Sequence, residues 1–264
     1  MTSLTIAQDL IGAAAGSLVG FSLGLVGGGG SILAVPLMVY LVGVNDPHVA
    51  IGTSAVAVAA NAGINLTHHA RRGNVKWKCA ALFAAAGVIG AYVGSTLGKA
   101  FDGQKLLALF ALLMLIVAVL MLRGRSVEGD AAVKLDRGNA PKLLASGAAT
   151  GLLSGFFGIG GGFLVVPGLI TATGMPILYA VGSSLLAVAA FALTTAINYA
   201  QSGMVDWTLA VAFFGGGIVG GLLGEKMATR LSVRRGALNA VLAGLIIVVA
   251  LYMLWRSAQA LGAI

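Results

Sequence analysis

Residues 20–36 read GFSLGLVGGGGSILAVP and residues 151–167 read GLLSGFFGIGGGFLVVP, so the chain carries one glycine-broken apolar pattern twice. Gly20, Gly24, Gly27, Gly30 and Pro36 of the first copy fall opposite Gly151, Gly155, Gly158, Gly161 and Pro167 of the second. After one residue is lost from the next loop, the register continues through Gly52/Gly182, Ser54/Ser184, Gly73/Gly203, Trp77/Trp207 and Gly94/Gly224. A chain built from two such copies must fold as two related halves. Glycine runs inside hydrophobic segments predict interrupted helices at the interface between them, where backbone groups become available to a solute.

Lipid is the solvent for such a chain. Of its residues 59% are hydrophobic and 9% charged, with a mean hydropathy of +1.00, against roughly 25% charged residues in soluble domains. Apolar stretches near the ~20 residues needed to cross a bilayer recur along the whole length. The amino terminus, MTSLTIAQDL, lacks a basic start and a small-residue cleavage site, so the first apolar stretch is expected to be retained. Cys79 is the single cysteine, which excludes an intramolecular disulfide and a multi-cysteine metal site. The net charge of +8 sits in the loops and reads as a topology signal. Lipid head groups and an anionic solute are the partners it implies, not nucleic acid.

Apolar runs predict segments at about 5–26, 29–43, 48–70, 75–99 and 104–123, repeated at about 141–158, 161–173, 176–200, 206–229 and 233–256. The expected fold is an all-α polytopic membrane protein: a first transmembrane repeat over 1–125, a polar cytoplasmic linker over 126–142 and a second repeat over 143–264. In each repeat the short second segment follows its predecessor through GGGG or GIGGG and is expected to form a hairpin that either crosses twice or re-enters at mid-depth. That hairpin returns the chain to the side it left. Each half then makes an odd number of crossings, and the second half is inverted. With an external amino terminus, inversion keeps Arg71, Arg72, Lys76, Lys78, Arg123, Arg125, Lys134, Arg137, Lys142, Lys226, Arg230, Arg234 and Arg235 inside, leaving Lys99, Lys105 and Arg256 outside. Halves of equal orientation violate the positive-inside tendency. The equivalent loops RRGNVKWK and QSGMVDW differ accordingly.

Glycines four apart, such as Gly12/Gly16/Gly20/Gly24 and Gly216/Gly220/Gly224, read as packing stripes. The contiguous runs do not. Within a helix each such glycine costs about 1 kcal/mol relative to alanine, whereas a helix that starts after the run points its open N–H groups and positive dipole end into the turn. The candidate anion site is therefore Gly27, Gly28, Gly29, Gly30 and Ser31 in the first copy, with Gly158, Gly160, Gly161 and Gly162 in the second. Thr53, Ser54 and Asn61 of the third segment, and Ser183 and Ser184 of its counterpart, are the supporting neutral donors. Asn65, Thr194, Thr195 and Asn198 extend these polar faces. His68 and His69, beside Arg71, read as interfacial or as a titrating gate, with no third ligand for a metal; no metal or cofactor is expected. The acids lie in loops except Glu225, near one helix end. No mid-membrane carboxylate for proton coupling and no catalytic triad is evident.

At the two glycine-proline motifs and the paired RGNVKW and SGMVDW loops the chain resembles the sulfite exporter TauE/SafE family of bacterial inner-membrane permeases, over essentially its whole length. The resemblance implies transport of sulfur-containing anions such as sulfite or organosulfonates. The first copy departs from the second in having Ser31 where the second has Gly162, and Gly28 where it has Ile159. The leading expectation is alternating-access export, since an inside-negative potential favours anion efflux by about 2.3 kcal/mol per charge per 100 mV without a coupling carboxylate. Cation-coupled uptake through His68 or Glu225 is the alternative, and a non-transporting membrane scaffold or sensor the third reading.

Overall fold

The computed structural model describes residues 6–123, 130, 133–231 and 235–260. Residues 124–129 and 131–132, with Arg125 and part of the expected linker, and residues 232–234, with Arg234, lie outside the described residues; so do the side chains of Arg123, Glu225, Lys226, Arg230 and Arg235. The described residues are all-helical. Helix α1 (Ile6–Val26) leads into a 3-10 turn (Gly27–Leu33), a single α turn, α2 (Ala34–Pro36), and a π-helical turn (Leu37–Leu41). Then follow α3 (Pro47–Arg71), α4 (Trp77–Ala100), α5 (Gly103–Arg123), α6 (Ala140–Phe157), α7 (Gly162–Thr173), α8 (Ile177–Gln201), α9 (Trp207–Leu231) and α10 (Arg235–Ala260).

Breakers set these boundaries. Asp46 caps α3, its side chain accepting from the His48 N–H with Pro47 at the first helical position, where a missing N–H loses nothing. Gly174 closes α7 with φ +72°, a conformation that favours glycine. Pro36 follows the glycine run of the first copy, and there the chain winds irregularly. Pro167 sits inside α7 without ending it.

Five of the described helices are long and apolar enough to cross a bilayer: Pro47–Arg71, Trp77–Ala100, Gly103–Leu120, Ile177–Gln201 and Trp207–Gly224. The protein is therefore a multi-pass membrane protein. Large apolar side chains such as Ile89, Val211 and Val248 are exposed along its flanks, as lipid contact requires. Trp77 and Trp207 start equivalent helices and Trp255 lies near the end of α10, all three exposed.

Packing between the halves follows the glycine stripes. A methyl group at Gly16 or Gly20 of α1 would run into the carbonyl oxygens of Phe213 and Gly217 of α9, and one at Gly147 or Gly151 of α6 into those of Phe83 and Gly87 of α4. The contacts advance in the same direction along both helices of each pair, so α1 runs parallel to α9, and α6 to α4. The equivalent helices α3 and α8 pack against each other in the opposite sense: Gly52 near the start of α3 lies at Met204 and Tyr199, while Gly182 near the start of α8 lies at Asn74 and His69. The start of α3 thus meets the end of α8, and the start of α8 the end of α3.

Two ends of the bundle follow from these contacts. The linker end holds the loop at Arg72–Lys76, the Gly174 turn, whose carbonyl accepts the Asp130 N–H, and the starts of α4, α6 and α8. The distal end holds the loops at 42–46, 101–102 and 202–206, tied by the Gln8 side chain on Val42 O, His48 on Phe101 O and Asp206 N–H on Thr53.

Candidate functional site

Helix α6 ends at a turn made by three glycines in left-handed conformation, Gly158, Gly160 and Gly161, with φ of +69°, +66° and +70°. Only glycine adopts such a succession without strain. The turn donates Gly158 N–H to Gly155 O and Ile159 N–H to Ser154 O. Helix α7 then begins, Leu164 and Val165 both donating to Gly161 O. The N–H groups of Gly162 and Phe163 precede any intrahelical acceptor and are the open donors of this helix start.

The turn lies in the middle of the bundle. A methyl group on Gly160 would stand 2.8 Å from Val58 Cγ1 of α3, 3.3 Å from Ala192 and 3.4 Å from Val188 of α8. Val58 and Val188 are mid-helix positions related by the internal duplication. From the turn α7 runs back along α6, Gly168 lying beside Thr150 and Phe83. The 3-10 turn of the first copy, with Gly27, Gly28, Gly29, Gly30 and Ser31, packs against α7 and α8. The two glycine segments differ in conformation: right-handed and tight in the first, left-handed at three positions in the second.

Ser154, absent from the candidates read from sequence, completes this turn. It is fully buried, its hydroxyl has no hydrogen-bond partner, and that hydroxyl lies 2.8 Å from where a Gly161 methyl group would stand. A serine one turn before a glycine run is the signal that identifies it.

The hydroxyls picked from sequence have other engagements. Ser54 donates to Ile51 O at 3.0 Å and Ser184 to Val181 O at 2.8 Å, each within its own helix. Thr53 Oγ1 accepts the Asp206 N–H at 2.9 Å and Ser183 Oγ accepts the Lys76 N–H at 2.8 Å. These two bonds are mirror images, each tying the start of α3 or α8 to the backbone ahead of α9 or α4. They lie at opposite ends of the bundle, away from the glycine turns.

Asn61 is 3% exposed and its Nδ2 has no partner. It faces Gly217 of α9, beside a cavity of about 20 Å³ that Asn65 and His68 also line. In the other half the same register position is Phe191, whose ring fills the space over Gly87. The polar face of α3 therefore has no twin on α8. Thr195, where α3 has Asn65, is buried with an unpaired hydroxyl. At the distal end Lys99 gives its three protons to Asn198 O, Asn198 Oδ1 and Ser202 Oγ at 3.0, 2.7 and 2.8 Å. Asn198 Nδ2 in turn donates to Ser95 Oγ at 2.6 Å. This ammonium is consumed in joining α4 to α8. Among the described residues no group of three or more His, Cys, Asp or Glu side chains is placed to hold a metal ion.

The family described as Sulfite exporter TauE/SafE matches residues 12–253. A probable membrane transporter protein of Xylella fastidiosa strain 9a5c is 53% identical over 255 residues, 96% of this chain and 98% of the relative. One from strain Temecula1 is 52% identical over 259 residues, with the same coverage. The probable membrane transporter protein YdhB of Bacillus subtilis is 28% identical over 211 residues, 79% of this chain and 86% of its own length. No solved structure matches the chain.

Proposed function

Because the chain belongs to the sulfite exporter TauE/SafE family and is a membrane transporter, not an enzyme, we propose that it is a bacterial inner-membrane permease exporting small sulfur-containing anions, sulfite or organosulfonates, by alternating access. The observation that carries the proposal is the buried left-handed turn at Gly158, Gly160 and Gly161, which opens α7 between Val58 and Val188 and has the unpaired Ser154 hydroxyl beside it. Neutral N–H and O–H donors at a helix start stabilise an anion without leaving a bare charge in lipid between transport cycles.

In this reading the two halves are inverted repeats and the glycine segments are their re-entrant hairpins. The antiparallel packing of the equivalent helices α3 and α8 supports the inversion. So does charge: Arg71, Arg72, Lys76, Lys78, Lys134, Arg137 and Lys142 gather toward the linker end, whereas Lys99, Lys105 and Arg256 share the distal end with Asp9, Asp46, Asp102 and Asp206. The linker end is then cytoplasmic.

The anion is held by the Gly158–Gly162 turn and Ser154, with the adjoining Gly27–Ser31 segment closing the other side. Asn61 supplies a donor on the neighbouring α3–α9 face. Thr53 and Ser183 hold the loops, and Ser54 and Ser184 the helix starts, on which the hairpins are mounted. Export is favoured by the membrane potential itself, about 2.3 kcal/mol per charge per 100 mV. Flux of labelled sulfite and of isethionate in proteoliposomes, at both polarities, tests it: anion movement toward the positive compartment is expected. Absence of flux for both anions refutes the substrate class. Flux that runs only with an imposed proton or sodium gradient replaces export with coupled uptake.

A further inference from the structure

A second polar cavity, of about 530 Å³, opens at the distal end of the bundle, apart from the glycine turns. Its walls come from the end of the π-helical turn (Tyr40), the following loop (Asn45), the start of α5 (Gln104) and the end of α10 (Tyr252, Arg256, Gln259). We propose that it is a second binding site, selective for an organic oxyanion, whose sulfonate or phosphate group is held by Arg256.

The chemistry of the lining selects the charge. Arg256 supplies a planar guanidinium with forked donors, and the carboxamides of Asn45, Gln104 and Gln259 and the phenols of Tyr40 and Tyr252 supply neutral ones. No carboxylate lines the cavity. The acids nearest in sequence are turned to other work, Asp46 accepting from His48 N–H at 2.8 Å and Asp102 from Lys105 N–H at 3.0 Å, each capping a helix start. A cation therefore finds no counter-charge here, and an oxyanion finds one.

Size and wall texture select the rest of the ligand. The volume falls in the range of roughly 300–1,000 Å³ usual for organic ligands, more than a bare sulfite fills. One wall is aromatic: Tyr40 and Tyr252 line it and meet edge to face at 5.3 Å. Such a wall suits carbon next to the charged group. In the second repeat the position of Gly43, which lines the cavity, is taken by Gly174, and there the linker crosses, Asp130 N–H donating to Gly174 O at 3.1 Å. The duplicated scaffold is thus capped by chain at one end and open at the other. An organosulfonate free in solution and the phosphate of a lipid head group share the required chemistry.

The test uses the full chain in neutral detergent, with isethionate followed by titration calorimetry and dioleoylphosphatidylglycerol followed by thermal stabilisation. Wild type is expected to bind at least one of them, and Arg256→Gln, an exposed position that leaves folding intact, to weaken that binding about tenfold or more, as expected for a lost charge-assisted hydrogen bond. Gln104→Leu should weaken it less. Dependence on Arg256 for isethionate identifies a soluble ligand; dependence for the lipid alone identifies a head group. Asn61→Leu, aimed at the central pathway and expected to keep the fold, should leave the Arg256-dependent binding unchanged, so the two sites fail independently. Binding of neither ligand, or equal binding by wild type and Arg256→Gln, overturns the proposal.

Discussion

Asn61 and Gly160 occupy neighbouring turns of structure and make opposite demands. The Asn61 amide is buried with its Nδ2 unpaired, an arrangement that costs about 1–3 kcal/mol and persists in a lipid-facing fold only where a solute or water uses the donor. Asn61→Leu should therefore leave the unfolding temperature in detergent unchanged or raised while reducing anion flux; a variant that is both stable and fully active removes Asn61 from the pathway. Gly160 has φ +66° and Val58 close by. Gly160→Ala combines left-handed strain of about 1 kcal/mol with overpacking of about 1–3 kcal/mol. Gly43→Ala, at φ +80° with nothing within 4 Å of the added carbon, carries the strain alone. Thermal melts of the pair should rank Gly160→Ala as the more damaging.

Helices in this protein are joined by two devices, close backbone approach and mirrored side-chain-to-backbone bonds. Gly20 lets α1 touch the Gly217 carbonyl of α9, and such small-residue contact substitutes for the hydrophobic drive that lipid cannot provide. Gly20→Leu should prevent that seam from closing and abolish the monodisperse peak in size-exclusion chromatography. Thr53→Val and Ser183→Ala each deprive one N–H, of Asp206 or Lys76, of its acceptor. Each is expected to destabilise the protein by about 1–3 kcal/mol. If the two bonds are independent, the double variant should lose the sum, read from unfolding in detergent. The duplicated register shows that positions 53 and 183 correspond; it does not show that each reaches across to the loop of the opposite half, because those partners lie 153 and 107 residues away in the chain.

For the molecule as a whole, orientation is the testable quantity. In a Cys79→Ser background, Arg72→Cys and Gln201→Cys should react with an impermeant maleimide from opposite sides of the membrane. Labelling of both from one side would end the inverted arrangement and, with it, the central site built between the hairpins.

Sequence alone determined most of the helices and their breaks: bilayer-length apolar runs, polar loops and glycine clusters fix them through local hydrophobicity and backbone freedom, and the observed boundaries follow the expected segments within a few residues except at 29–43, where 3-10, α and π turns replace a single helix. It also displayed the duplication and the family. Tertiary structure decided how side chains are used. Ser54 and Ser184 turn back on their own helices, Thr53 and Ser183 serve distant loops, Asn61 faces α9 where Phe191 covers α4, and Ser154 joins the glycine turn. Those outcomes depend on the rotation of each helix about its axis and on contacts between residues far apart in the chain, which a local pattern of apolar and polar residues does not specify. The same reason explains why two nearly identical glycine runs take different backbone conformations: each answers to the neighbours packed against it.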